Sequence, residues 1–218
     1  DDLPHSLIAD GAGNLVILGR TYSANFPRTV DRVGPGGECD IIVSKLNADG
    51  TILIGSMVIG GSGNDGVNIE DQFRSKNDRI NSLLRNYGDD SHSEVILDGA
   101  GNIYVAAQSQ SATSSPIRGT VFQPASRGGQ EGVVMKINPN CNAITWSSFL
   151  GGSGDDAAFV LALQPGTNNI YVAGGTFSSN LLPAGTTGVI SNTNQGMADG
   201  YVAVISNDGT SFINGSYL

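Results

Sequence analysis

Residues 10–19 read DGAGNLVILG, and close copies of this string return at 98–107 (DGAGNIYVAA) and at 165–174 (PGTNNIYVAG). In each copy a turn rich in Gly, Asn or Asp is followed by a short apolar run, and another short apolar run precedes it. Glycine and asparagine supply the positive φ angles that tight turns need. Each copy therefore predicts one β-strand, a tight turn and a second strand.

A second string follows each copy and supplies two more strands. It reads DIIVSKLN at 40–47, GVVMKIN at 132–138 and DGYVAVIS at 199–206, and a turn and another apolar run come next. Runs of about 4–8 residues bounded by turn residues are typical of antiparallel strands. Four strands in a unit of roughly 65 residues match a β-propeller blade, whereas solenoid repeats have shorter periods. We predict an all-β protein with three propeller blades of four antiparallel strands each.

The spacing of the copies predicts the limits of the blades. Asn14 and Asn102 are 88 residues apart, whereas Asn102 and Asn169 are only 67 apart. The additional residues form a charged stretch that we assign to an insertion projecting from one rim between two blades. The predicted division is blade 1 at 1–65, the insertion at 66–86, blade 2 at 87–152 and blade 3 at 153–218.

Three blades are fewer than a closed propeller contains. Propellers typically close with 4–8 blades, so the first and third blades would each leave one face to be covered. We expect the remaining blades of the same polypeptide, or a partner chain, to cover these faces. The aliphatic side chains expected beside them are Val16, Leu18, Val202 and Val204.

Composition narrows the classes of function. The chain has 218 residues with 20 acidic and 11 basic side chains, a formal charge of −9. Nucleic-acid binding needs clustered Lys and Arg to neutralise phosphates, so we expect no nucleic-acid partner. The sequence contains no run of about 18 apolar residues, so we also expect no transmembrane segment.

Taken together, the strings resemble the bacterial β-propeller repeat family, also called the seven-bladed propeller repeat. The resemblance rests on Gly-x-Thr-x-Ser-x-x-Phe-Pro at 19–27, on DIIVSKLNADG at 40–50 and on FLGGSGDD at 149–156. It covers nearly the whole chain apart from the insertion. The third repeat departs from the pattern at Gln164 and Val204, among other positions.

This resemblance carries an expectation about where the protein works. The end of the insertion is similar to versions found in large secreted proteins of Bacteroidota, some of which carry gliding-motility-type C-terminal signals for type IX secretion. The resemblance therefore implies a secreted or cell-surface protein, in a setting where adhesion is a common role.

Aspartate pairs are the candidate metal ligands. Asp1–Asp2, Asp89–Asp90 and Asp155–Asp156 lie at similar places in the repeat, and repeated carboxylates on one rim could bind Ca²⁺, which takes six to eight oxygen ligands. Alternatively, each carboxylate accepts backbone N–H bonds in the turn. We favour the second interpretation, because no loop has the dense Asp-x-Asp-x-Asp-Gly spacing. The calcium candidates are Asp89, Asp90, Asp155 and Asp156.

Candidate catalytic groups are few. His5 and His92 are the only histidines, and no particular hydroxyl can be assigned to a triad with either of them. Glycoside cleavage would need two carboxylates about 5–10 Å apart. Glu38 and Glu131 occupy similar places just before third strands, which favours a structural role for both.

The function that these observations favour is a non-enzymatic structural and interaction module. In this hypothesis a propeller in a secreted or cell-surface bacterial protein holds its rim loops rigidly, and the loops bind protein or glycan. The alternative is a carbohydrate-active propeller enzyme that uses carboxylates at the central channel. The loops concerned are 22–38, 66–86 and 108–130.

Overall fold

The computed structural model describes residues 1–66, 94–111 and 117–218. Within these ranges the chain forms β-strands in three antiparallel sheets and no helix. The prediction of an all-β protein is therefore confirmed. None of the described segments forms a helix long and apolar enough to cross a membrane.

The first and third sheets have the predicted four strands, which pair in simple sequential order. Sheet 1 contains β1 (Asp2–Ala9), β2 (Leu15–Thr21), β3 (Asp40–Leu46) and β4 (Leu53–Ile59). Sheet 3 contains β10 (Asp156–Leu163), β11 (Ile170–Thr176), β12 (Asp199–Ile205) and β13 (Phe212–Tyr217).

Sheet 2 has the same design, but its first strand is built from two pieces. Both β5 and β6 pair with β7, end to end, where sheets 1 and 3 have one continuous strand. The sheet contains β5 (Asp65–Gly66), β6 (Glu94–Leu97), β7 (Ile103–Ser109), β8 (Glu131–Ile137) and β9 (Ile144–Leu150).

The pairing register revises where the second repeat begins. Asp65 pairs with Ser109 in the way that Asp2 pairs with Thr21 and Asp156 with Thr176. The counterpart of Asp2 and Asp156 is therefore Asp65, not the pair at 89–90, which lies outside the described residues. The predicted boundary after residue 65 divides β5, and the additional residues enter inside a strand rather than between two sheets.

One side chain marks the point where the first strand of sheet 2 is interrupted. In sheets 1 and 3 this position is Gly19 or Gly174, and a Cβ on either would overlap a carbonyl oxygen of the bulged first strand. In sheet 2 the position is Ala107, which faces the gap between β5 and β6 and pairs with neither. Glycine is therefore required where the bulged first strand of sheets 1 and 3 comes close to the second strand.

The core lies between the sheets in two layers. Alternate side chains of a strand point to opposite faces, so sheet 2 is buried on both sides: Ile103 and Val105 face sheet 1, and Tyr104 and Ala106 face sheet 3. The strands β1, β6 and β10 lie next to one another, and β10 packs on β7 and β8. The three sheets are therefore stacked in sequence order.

The faces that point away from sheet 2 are only partly those expected. Val16 and Leu18 are fully buried in the layer between sheets 1 and 2, so the expectation that they border an open face is wrong. The strand alternation had been assigned to the opposite face. Val202 and Val204 are half-buried on the outer face of sheet 3, in agreement with the prediction.

Candidate functional site

The aspartate that begins the first strand of each later sheet is held by a glycine-rich turn. At the junction of sheets 2 and 3, the N–H of Gly152 donates to Asp156 Oδ2 at 2.6 Å, and Ser178 Oγ donates to the same oxygen at 2.7 Å. Thr176 Oγ1 donates to Asp156 Oδ1. Both oxygens of this fully buried carboxylate therefore accept hydrogen bonds.

The same arrangement recurs between sheets 1 and 2. The N–H of Gly61 donates to Asp65 Oδ2 at 2.7 Å, and Ser111 Oγ donates to it at 2.7 Å. Gly63 N–H then donates to Ser111 Oγ at 2.9 Å. The Gly-Gly-Ser-Gly strings are thus explained by backbone donors that must approach a carboxylate and a hydroxyl closely.

A second acid begins the third strand of each sheet and closes the preceding loop. Glu131 Oε1 accepts the backbone N–H groups of Arg127 and of Gly128, the latter at 2.7 Å, while Gln123 Nε2 donates to Oε2 at 3.2 Å. Register places Asp40 and Asp199 at the corresponding positions of the other two sheets. The acid that corresponds to Glu131 is therefore Asp40 and not Glu38, which is exposed.

Glu131 and Asp156 approach each other across Gly151. A Cβ on Gly151 would overlap Glu131 Oε2 and would lie 2.6 Å from Asp156 Oδ2. Burial raises the pKa of both carboxyls, and the charge of Asp156 adds to the rise for Glu131. This is the described acid pair most like a catalytic pair. Both side chains are fully buried, however, and their oxygens are occupied by the hydrogen bonds given above.

The calcium candidates are distributed differently from a metal cage. Asp155 Oδ1 accepts the N–H of Gln130 at 3.0 Å, and Asp156 belongs to the junction just described. Asp89 and Asp90 lie outside the described residues. Among the described residues, no group of three or more His, Cys, Asp and Glu side chains is arranged to hold a metal ion. His5 lies at the bulge of β1, and His92 is outside the described ranges.

A cavity of about 560 Å³ opens between sheets 2 and 3 at the rim that carries the β12–β13 turn. Lys136 and Trp146 line it from sheet 2, and Asn169, Asn207 and Asp208 line it from sheet 3. The remaining lining residues are Gly119, Thr120, Thr145 and Ser206. In this described space charged, amide and hydroxyl groups of two sheets converge.

At the corresponding place between sheets 1 and 2, a lysine is fully engaged. Lys45 forms an ion pair with Asp10 at 2.8 Å and donates to the carbonyl of Pro139 at 2.9 Å. The Lys45 ammonium is the largest cause that holds the pKa of Asp10 well below its usual range. The charges of this junction therefore neutralise each other.

The lysine of the second junction is placed differently. Lys136 donates to Asn207 Oδ1 at 2.8 Å and lies 5.1 Å from the centre of the Tyr104 ring. Asp98 is the counterpart of Asp10, but its Oδ2 accepts Asn102 Nδ2 at 2.8 Å and the Tyr104 hydroxyl at 3.1 Å. The single hydroxyl hydrogen of Tyr104 is shared between Asp98 Oδ2 and Asn207 Oδ1, which lies 2.8 Å away, and Lys136 and Asp98 form no ion pair. Burial lowers the pKa of Lys136.

Sequence reasoning missed the buried acid network and the cavity. The usable signal was the recurring pair of hydroxyls at Thr21-x-Ser23, Ser109-x-Ser111 and Thr176-x-Ser178. These hydroxyls have the same spacings of 88 and 67 residues as Asn14, Asn102 and Asn169, so aligning the repeats on them would not have moved the start of the second sheet to Asp65. The cavity has no such signal, because it depends on side chains that differ between repeats. No protein-family model matches the chain, and a search of curated proteins finds no significant relative.

Proposed function

We propose that the chain is a non-enzymatic structural and interaction module, part of a β-propeller in a secreted or cell-surface bacterial protein. The observation that carries the proposal is the use of the buried acids. Asp65, Glu131 and Asp156 accept hydrogen bonds from backbone and side-chain donors that join strands and loops. Carboxylates occupied in this way stabilise a scaffold and are poorly suited to moving protons to and from a substrate.

The long loops are held against the outer strands, which supports rigid display. Thr29 N–H donates to Ser56 O at 3.0 Å, and Val33 N–H donates to Val58 O at 2.9 Å, so the loop at 22–39 runs along β4. In sheet 3, Tyr217 N–H donates to Ser191 O at 3.0 Å. These contacts satisfy the outer edges of the sheets, which would otherwise be open to non-specific pairing. A partner then meets loops of fixed shape.

The propeller itself is proposed from the regular stacking and from the family resemblance. The outer face of sheet 3 carries Tyr171, Ala173 and Val202 at the positions of Tyr104, Ala106 and Val134 in sheet 2. In sheet 2 those positions are completely buried by sheet 3, whereas in sheet 3 they are half-buried. We propose that further blades of the same polypeptide, or a partner chain, cover this face.

A carbohydrate-active enzyme would require a different arrangement of the buried acids. A carbohydrate-active propeller would need two carboxylates facing a sugar in an open channel. Glu131 and Asp156 are a described pair with raised pKa values, as are Asp40 and Asp65 at the first junction, but a catalytic role for Glu131 and Asp156 would require Gly151 to move away and admit solvent. The test of the proposed function therefore includes an assay for carbohydrate hydrolysis.

The test is a binding screen combined with a hydrolysis assay on the full chain. The protein is applied to arrays of polysaccharides and surface proteins, and the same samples are assayed for released reducing sugar. The matched variants replace the mostly exposed residues 24–28 of the loop at 22–38 with a Gly-Ser segment of equal length, or carry Ile52→Ser at an exposed turn. We expect specific binding without hydrolysis, reduced by the loop replacement and unchanged by I52S. Hydrolysis that disappears in Glu131→Gln, or an absence of binding on all arrays, would overturn the proposal.

A further inference from the structure

We propose that the cavity between sheets 2 and 3 binds a saccharide that carries one carboxylate, with Lys136 facing that group. The inference rests on the proposed binding role of the rim and names the chemical class of its ligand. The cavity volume of about 560 Å³ lies within the range of about 300–1,000 Å³ that is usual for small-molecule pockets.

The comparison of the two junction lysines provides the first argument. Lys45 has a carboxylate partner in Asp10 at 2.8 Å. In the described part of the chain, Lys136 has no such partner and only an amide oxygen, Asn207 Oδ1, as acceptor. An ammonium has three donor hydrogens, so Lys136 can still donate to a ligand. A ligand carboxylate in the cavity would supply Lys136 with the ion-pair partner that Lys45 has in Asp10.

The opposite wall of the cavity explains why the ligand should carry hydroxyls and a single charge. Asp208 Oδ1 accepts Ser206 Oγ at 2.5 Å and Thr210 N–H at 3.1 Å. Its other oxygen is not used in these bonds, and the side chain is exposed, so it can accept a hydroxyl of a sugar. The same negative charge repels a second anionic group, which disfavours phosphates and other multiply charged ligands.

The indole of Trp146 acts as a fixed wall of the cavity. Its Nε1–H donates to Asn207 O at 2.9 Å, and Gly209 packs directly against the ring, where a Cβ would overlap it. Only 3% of the residue is exposed, so the ring face is not available for stacking on a sugar. Recognition in this cavity therefore depends on polar groups, which include the exposed hydroxyls of Thr120 and Thr145.

The experiment compares two sugars that differ only in the carboxylate. Methyl β-D-glucuronide and methyl β-D-glucoside are titrated into the ¹⁵N-labelled full chain and followed by NMR. We expect the glucuronide to shift the amides of Lys136 and Asn207 with a Kd of about 1 mM, and the glucoside to bind at least about tenfold more weakly. Lys136→Met should weaken glucuronide binding at least about tenfold, and the matched variant Lys45→Met should leave it unchanged.

A second variant keeps the test decisive if Lys136→Met does not fold. Asp208→Asn removes the repulsive charge at an exposed position but keeps an amide oxygen that can accept the sugar hydroxyl, so the ratio of glucuronide to glucoside affinity should rise a few-fold. The inference is overturned if the glucuronide does not bind at 20 mM, a concentration about twentyfold above the expected Kd, if both sugars bind equally, or if neither variant alters the ratio of their affinities. Binding to other array ligands without glucuronide binding would refute this inference and leave the proposed function intact.

Discussion

The junction between sheets 1 and 2 and the junction between sheets 2 and 3 share one backbone arrangement. They differ in which of the two facing residues is glycine. Between sheets 1 and 2, Gly55 on the fourth strand receives the Asn140–Cys141 turn of the next sheet, in contact with its backbone. Between sheets 2 and 3, the corresponding fourth-strand residue is Trp146, and the corresponding turn residue is Gly209. At each junction one of the two facing residues is glycine, Gly55 at the first and Gly209 at the second, and the side chain of the other residue fills the space.

The two junctions also differ in whether their lysine has a carboxylate partner. Val16 in sheet 1 leaves Asp10 free to pair with Lys45, whereas the hydroxyl of Tyr104, at the same repeat position, bonds both Asp98 and Asn207. One junction therefore pairs its lysine with a carboxylate, and the other keeps a lysine beside a cavity. The repeat determines the backbone, and a few differences between repeats determine where a ligand can bind.

The largest expected effect comes from removing the large member of the second pair. Trp146→Gly should lower the free energy of unfolding by about 3–5 kcal/mol, because it deletes a buried aromatic side chain and leaves a cavity. Adding Gly209→Cys would rebuild the Gly55–Cys141 arrangement. The double variant should be more stable than additivity predicts by about 1 kcal/mol or more. Urea unfolding of the four proteins measures this, and strict additivity would contradict the size-matching account.

A smaller effect on stability should separate the cost of crowding Trp146 at Gly209 from the cost of a positive φ angle. Gly209 and Gly50 occupy equivalent turns with the same positive φ of 73° and 69°, but only Gly209 faces a ring. Gly50→Ala should cost only the backbone term of about 1–2 kcal/mol. Gly209→Ala should cost at least about 1 kcal/mol more, because the methyl must displace Trp146. Equal losses in thermal or urea unfolding would show that the ring contact contributes nothing.

The buried acid pair should give the protein a pH dependence of smaller size. Burial raises the pKa of Glu131 and of Asp156, so the folded state retains protons that the unfolded chain has already released. Their contribution is greatest below the ordinary carboxyl pKa and is lost as pH rises through the raised values. Glu131→Gln should therefore flatten the decline of stability as pH rises above the ordinary carboxyl pKa of about 4. Urea titrations across this range measure the slope.

The exposed acids provide the opposite control for that titration. Hydrogen bonds from Ser206 and Thr210 lower the pKa of Asp208, so its contribution is present above the ordinary pKa and is lost as pH falls. Asp208→Asn should leave the decline above the ordinary carboxyl pKa unchanged and alter stability only below that pKa. If the Glu131→Gln protein kept the full decline of the parent, the assignment of the effect to this pair would be wrong.

The smallest expected effect is that of chelation. Because Asp155 and Asp156 accept hydrogen bonds from the protein itself, EDTA should change the melting temperature by less than about 2 °C, equivalent to under about 1 kcal/mol. Calorimetry with and without added CaCl₂ measures the shift. A fall of more than about 10 °C would restore calcium as a ligand, since a tightly bound ion adds several kcal/mol to stability.

The strand content and order could be predicted because they depend on local chemistry that recurs in every repeat. Glycine and asparagine turns and short apolar runs predicted the four strands of sheets 1 and 3 without knowledge of any contact. The start of sheet 2 was misplaced because Asp89–Asp90 matches the repeat as a string. The strand that pairs with β7 begins at Asp65, which the string comparison assigned to the first unit.

The candidate site could be predicted much less well. The role of Glu131 depends on donors at 123–128 and on Asp156, which is distant in sequence. The cavity depends on Tyr104 and Lys136 facing Asn207 and on Gly209 facing Trp146, contacts that arise only when sheets stack. Such contacts join non-equivalent residues of different repeats, so no periodic pattern reports them.

The stacking of the sheets is the central claim, and a structure of the intact natural protein tests it most directly. The quantity to measure is the exposure of Ala173 and Val202 on the outer face of sheet 3. We expect another four-stranded sheet to cover them, with its first strand lying as β10 lies on β7 and β8. If these side chains face solvent, or if a helix covers them, the proposal that this chain is part of a propeller is contradicted.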